Sequence, residues 1–299
     1  MVAKIIAGIG TFFVLVIIVF LAKRAIREKV GNWFKEKSWR IFLIPTAILA
    51  LNFVLTYIAG NCNLELFGRL AVYLMAPTLL IYFTRNGSGK LGLVLLLFTV
   101  LLWLPVEFRW ILKSWKIGGI GYPLTAYTAI VFVLMVMEIR KIDLKFDLKM
   151  NKGDWKMIGL MIGGLSLPII PITLAIGFTK LALNPVAEKY PIAVPIVYLL
   201  FLFAPALAEE IIFRGLIQNV LGNYLKPTVA IITSSLIFGF AHINNKVGSF
   251  DYPNWHYVCF ATLAGLAYGY IYWRRQSLTA AVVLHASVDF IWWLILRGV

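Results

Sequence analysis

The chain alternates apolar runs of membrane-spanning length with short basic connectors, and that pattern admits very few folds. The runs lie at 5–21, 41–59, 66–83, 91–111, 122–137, 157–181, 191–221, 228–243, 256–273 and 278–296. About 20 apolar residues cross the hydrocarbon core as a helix. Backbone groups in lipid find no water, so each must be satisfied within the segment, which helices do. Only 14% of the 299 residues are charged and 61% are hydrophobic, whereas a soluble domain carries about 25% charge. The expected architecture is all-α: a polytopic integral membrane bundle of about eight to ten spans.

The net charge of +15 does not call for nucleic acid. Lysines and arginines gather between the apolar runs, as cytoplasmic loops facing anionic lipid do. Only Lys4 precedes the first run, while Lys23, Arg24, Arg27 and Lys29 follow it. That asymmetry predicts an external N-terminus, a cytoplasmic loop at 23–40 and no cleavable signal peptide. Arg140, Lys141, Lys145, Lys149, Lys152 and Lys156 make 138–156 cytoplasmic as well. Its alternation of Ile142, Leu144, Phe146 and Leu148 with polar residues predicts a short strand or interfacial ribbon. Lys226 and Arg274-Arg275 mark further cytoplasmic ends, and 244–254 reads as an external loop. Pro168 and Pro171 break the sixth run, and Pro205 predicts a kink in the seventh. Cys62 and Cys259 form no CxxC and are expected to be unpaired and packed.

Charge inside the apolar runs is the chemical signal. Glu209, Glu210 and Arg214 lie within 191–221, where an ionised side chain costs about 2.5–3.5 kcal/mol even on lenient scales. Residues four apart share a helical face, so Glu210 and Arg214 should form an ion pair. Glu209 shares its face with Phe213 instead, an unpaired carboxylate against a ring, the setting of a general base. His242 follows Phe238 by four and His285 precedes Asp289 by four, so each pair shares a face. At about 1.5 Å per residue from the cytoplasmic ends, Glu209 lies roughly 18–24 Å deep, His242 roughly 21 Å and His285 roughly 12 Å. The three polar positions can therefore meet within the membrane. His256, between Trp255 and Tyr257 at a predicted interface, reads as structural.

Glu209-Glu210-xxx-Arg214, Phe238-xxx-His242 and His285-xxx-Asp289 resemble, in order and spacing, the three motifs of the CPBP intramembrane endopeptidases. That group includes CAAX prenyl endopeptidases of the Rce type and the bacterial Abi proteins. The flanking Ala-Pro-Ala-Leu-Ala-Glu-Glu-Ile-Ile-Phe-Arg-Gly and Ser-Ser-Leu-Ile-Phe-Gly-Phe-Ala-His are similar to family members too. The resemblance covers about 191–296, inside a catalytic core at 155–299. It leaves 1–154 as accessory transmembrane helices.

The resemblance implies that Glu209, with His242, activates water against a peptide carbonyl, and that His285 with position 289 stabilises the oxyanion. Glu210, Arg214 and Phe238 would support them. Ionised Asp289 can only accept hydrogen bonds. It would therefore be protonated, orient His285, or bind a metal. Two histidines and a carboxylate could hold zinc, but no HExxH is present, and the metal stays open. The implied activity is hydrolysis near the C-terminus of a membrane-anchored, CAAX-like protein or peptide, prenylated or not. In a prokaryote the expected site is the cell membrane. The alternatives are a non-proteolytic immunity or regulatory protein on the same scaffold and a proton-coupled transporter.

Overall fold

A helix forms at each of the ten apolar runs in the computed structural model, which describes residues 2–58, 60, 62–85, 91–111, 115–117 and 120–299. Two compact units result, Met1–Phe146 and Asp147–Val299.

The first unit contains α1 (Val2–Ala22), α2 (Arg24–Lys35), α3 (Ser38–Ile58), α4 (Leu64–Phe83), α5 (Leu91–Glu107) and α6 (Leu124–Ile139). The expected end of the second run at Ala59 lies outside the described residues. α4 starts where the Asn63 side chain accepts from Glu65 N and Leu66 N, satisfying two of the free amides of a helix start. Two departures from expectation have local causes. The basic connector 23–40 is not a loop: α2 occupies most of it, and Ser38–Phe42 is a 3₁₀ turn opening α3. Good helix formers such as Arg, Glu and Lys make that region helical. A small hairpin, β1 (Trp115–Ile117) with β2 (Ile120–Tyr122), precedes α6. The alternating segment at 142–149 forms no strand. Asp143 and Asp147 accept from the backbone amides of Lys145 and Lys149 at 2.8 and 3.0 Å, and such turns compete with a ladder. Lys145 also has φ 56°, incompatible with a strand.

The second unit contains α7 (Lys152–Ala175), β3 (Thr179–Leu181), α8 (Pro185–Lys189), α9 (Pro191–Leu221), α10 (Pro227–Phe240), α11 (Trp255–Arg275), α12 (Leu278–Ile295) and β4 (Leu296–Gly298). β3 pairs antiparallel with β4, which holds the ends of α7 and α12 at one end of the unit. At the other end Arg275 Nε donates to Asp154 Oδ1 at 2.6 Å. Asp154 belongs to a capping box with Asn151, so the start of α7 and the end of α11 share a side. This agrees with the basic residues that mark both as cytoplasmic. α7 runs through Pro168 and Pro171 without a break.

Among the described residues six helices, α1, α3, α4, α7, α9 and α12, are long and apolar enough to cross a membrane; α5, α6 and α10 are shorter apolar helices. α11 has 21 residues with tyrosines, a histidine and two arginines that lower its apolarity. The chain is thus an all-α multi-pass membrane protein. Cys62 and Cys259 are free, as expected, but both are exposed instead of packed.

Candidate functional site

α9 is not a uniform α-helix. Leu202–Ala206 and Ile211–Gln218 are π-helical, and Leu207–Glu210 between them is α-helical. Leu207 N bonds to Leu202 O and Asn219 N to Arg214 O, each five residues back. Pro205 lies in the first widened stretch, so the expected disturbance is a π-turn. Such turns concentrate at functional sites, and the two glutamates sit between them.

α9 docks on its neighbours through polar contacts. Arg214 Nη2 donates to Gly265 O and Gln218 Nε2 to Gly269 O, both at 2.9 Å. The donors are four apart on α9 and the acceptors four apart on α11, so two turns meet in register. Glycine at 265 suits a tight space: a Cβ there would stand 3.2 Å from Arg214 Nη2 and from the Phe238 ring. Small residues permit this close approach between membrane helices. From α10, Ser234 Oγ donates to Phe213 O at 2.7 Å.

Glu210 and Arg214 form the expected ion pair, Nη1 to Oε1 at 3.1 Å, with both side chains wholly buried. Glu210 Oε1 also lies 2.8 Å from His285 Nδ1 on α12. A carboxylate oxygen only accepts when ionised, so Nδ1 carries the hydrogen. The other ring nitrogen, Nε2, faces Asp289 Oδ2 at 3.5 Å and Glu209 Oε2 at 3.9 Å. The first is at the outer limit of a hydrogen bond and the second is beyond it. His285 is therefore surrounded by three carboxylates, one bonded and two at a remove. Glu209 and Asp289 keep 25% and 33% of their side chains exposed, while His285 keeps 4%.

Phe238 joins the parts. Its ring packs on Phe213, His242, Tyr268 and His285, at centroid distances of 5.0, 4.7, 6.0 and 5.6 Å. The Arg214 guanidinium lies 4.6 Å over it, a cation–π contact that offsets part of the burial of that charge. His242 lies in the turn just past the end of α10, not on the helix itself. Its Nδ1 is 2.8 Å from Phe238 O; a carbonyl only accepts, so Nδ1 bears the hydrogen and neutral Nε2 keeps its lone pair.

The seven residues singled out in the sequence thus gather in one cluster, with Glu210, Arg214 and His285 buried and Glu209, Asp289 and His242 partly open. Glu209 and His242 are not hydrogen-bonded to each other. His256 stays apart, packed on Phe178 and Phe250. Sequence reasoning missed Tyr257 and Tyr268. Each stacks parallel on one histidine: Tyr257 on His242 at 5.2 Å and Tyr268 on His285 at 4.6 Å. Gln218 was missed too, although its spacing of four from Arg214 repeats the Gly265–Gly269 spacing.

Among the described residues no three His, Cys, Asp or Glu side chains are arranged to hold a metal ion. Nδ1 of His285 is committed to Glu210 and Nδ1 of His242 to Phe238 O, which leaves the Nε2 atom of each ring to meet a ligand.

Residues 191–291 match the family described as type II CAAX prenyl endopeptidase Rce1-like. No curated protein and no solved structure matches the chain.

Proposed function

We propose, from the match of residues 191–291 to the type II CAAX prenyl endopeptidase Rce1-like family, that this multi-pass membrane protein is an intramembrane endopeptidase. Its substrate is a membrane-anchored protein or peptide cut near the C-terminus, with a CAAX-like end. The core at 155–299 carries the chemistry, and 1–154 supplies accessory transmembrane helices. In a prokaryotic cell its place is the cell membrane.

One observation carries the assignment of roles: two adjacent glutamates have opposite environments. Glu210 is fully buried and bonded to Arg214 and His285, whereas Glu209 is a quarter exposed and makes no hydrogen bond among the described residues. A general base needs a free, accessible carboxylate, and Glu209 meets that condition. Glu209 takes a proton from water as the water oxygen attacks the scissile carbonyl carbon. His242 assists by accepting at Nε2 a hydrogen bond from the other water hydrogen, which stays on the oxygen. The carbonyl oxygen, now an oxyanion, faces His285 Nε2, which donates to it as an imidazolium. Glu210 holds that ring from behind, and Asp289 orients it from the open side. On collapse the leaving amine takes the proton from Glu209, giving a carboxylic acid and a free amine.

The test is incubation of purified protein with lipidated and unlipidated C-terminal peptides, read by mass spectrometry. Wild-type protein should release a short C-terminal fragment, and folded Glu209→Gln protein should not. Absence of cleavage across CAAX-like and unrelated peptides would favour the immunity or regulatory reading of the same scaffold.

A further inference from the structure

The N-terminal unit holds a polar cavity of about 270 Å³ between α2 and the end of α6. Four cationic side chains line it, Arg24, Arg27, Lys35 and Lys141, against three carboxylates, Glu28, Glu138 and Asp143. The carboxylates already have cations. Glu138 lies 3.2 Å from Arg27 Nε and 3.8 Å from Lys35 Nζ. Arg24 lies 2.8 Å from Glu28 and 3.9 Å from Asp143. Lys141 has no ion pair among the described residues, so the cavity keeps one cation in excess. The Asn32 amide also lines it.

The floor is firmly built. Arg27 Nη1 donates to Leu21 O at 2.7 Å and to Ala22 O at 3.4 Å, carbonyls that the end of α1 leaves without helical partners. Gly31 brings α2 close to α6, since a Cβ there would stand 2.5 Å from Glu138 Cγ. Lys141 has φ 58°, a left-handed conformation usually filled by glycine at a helix end. A lysine held there despite its backbone cost supplies an ammonium to the cavity wall.

Its place in the fold points to the ligand. α2 begins two residues after α1, an apolar span, and α6 ends just before Arg140. The cavity therefore lies where two helices leave the hydrocarbon. Trp33 on α2 and Trp39 at the start of α3 are exposed, as tryptophans at a lipid–water boundary are. Lys23 and Lys37 are exposed and add to a basic surface of the kind that draws anionic lipid.

We propose that this cavity binds the phosphate of an anionic phospholipid headgroup, with Lys141 and Lys35 as its principal charge partners. The site lies wholly within the N-terminal unit and does not depend on the proteolytic reading.

Thermal unfolding of the purified full-length protein in neutral detergent tests it, with short-chain phosphatidylglycerol, short-chain phosphatidylcholine and inorganic phosphate as probes. A ligand of the folded state raises the unfolding temperature in a saturable way. Phosphatidylglycerol should do so and phosphatidylcholine should not. Lys141→Gln and Lys35→Gln should each raise the half-saturating concentration at least tenfold, while Lys29→Gln, outside the cavity, should leave it unchanged. If inorganic phosphate reproduces the same variant-sensitive shift, the phosphate site stands and its source is the free anion. Native mass spectrometry, counting bound phosphatidylglycerol, covers any variant whose baseline stability changes. A phosphatidylglycerol shift that is equal in Lys141→Gln and Lys29→Gln, or no saturable shift with either phosphate probe, overturns the proposal.

Discussion

His285 Nδ1 lies 2.8 Å from Glu210 Oε1, so the more deeply buried of two neighbouring glutamates holds the imidazole. The same oxygen receives Arg214 Nη1 at 3.1 Å. One carboxylate oxygen therefore ties α12 to α9 and neutralises the arginine that docks α9 on α11. Glu209, one residue earlier, faces the opposite nitrogen of the same ring. The consequences are testable.

Glu209→Gln preserves size and removes basicity. It should lower cleavage by about a hundredfold or more while the melting temperature stays near that of wild type. Glu210→Gln should behave differently, because it strands the buried Arg214; breaking such a pair costs about 3–5 kcal/mol. It should lower the melting temperature and activity together. Near-normal turnover by a folded Glu209→Gln enzyme would reassign the base.

The Tyr268 ring stacks on His285 at an interplanar angle of 18°. Tyr268→Phe keeps that face and should retain most activity. Tyr268→Leu removes a contact worth about 0.5–1.5 kcal/mol, so the rate should fall roughly two- to tenfold. Equal rates for the Phe and Leu variants would show that the stack does not position the histidine.

Gly265 admits no side chain without displacing Arg214, Ser235 or Phe238. Gly265→Leu should destabilise by about 1–3 kcal/mol or more, as overpacking does, seen as a lower melting temperature in detergent. Gly265→Ala should do less, because the gain in helix propensity of about 1 kcal/mol opposes the strain. An unchanged melting temperature for the leucine variant would contradict the close contact of α9 with α11.

Substrate access can be read by thiol labelling. Ser287 lies on α12 with its hydroxyl 3.2 Å from Tyr198 Oη, near the open side that carries Asp289. In a background without Cys62 and Cys259, Ser287→Cys should react with impermeant reagents from the cytoplasmic face alone. Ala206 is completely buried, so Ala206→Cys should stay unlabelled from either side. Labelling of Ser287→Cys from outside alone would invert the topology.

The positions of the ten helices were legible in the sequence because lipid leaves an apolar run few alternatives to a helix. The Glu210–Arg214 pair was legible too, since residues four apart meet on a helix without help from the rest of the chain. What escaped was set by polar side chains or by distant partners. Helix α2 arose from a basic segment that hydropathy reads as a connector, and the 142–149 alternation yielded to turns made by Asp143 and Asp147. Nothing in the linear order tells which of two adjacent glutamates meets a histidine 75 residues away. That choice depends on the π-helical stretches that reset the faces of α9 and on the glycine carbonyls of α11 that receive Arg214 and Gln218. It depends as well on Phe238, whose ring touches both histidines. Local spacing determined which residues could carry chemistry, and only the packing of α9, α10, α11 and α12 decided which of them is buried as an anchor and which is left open.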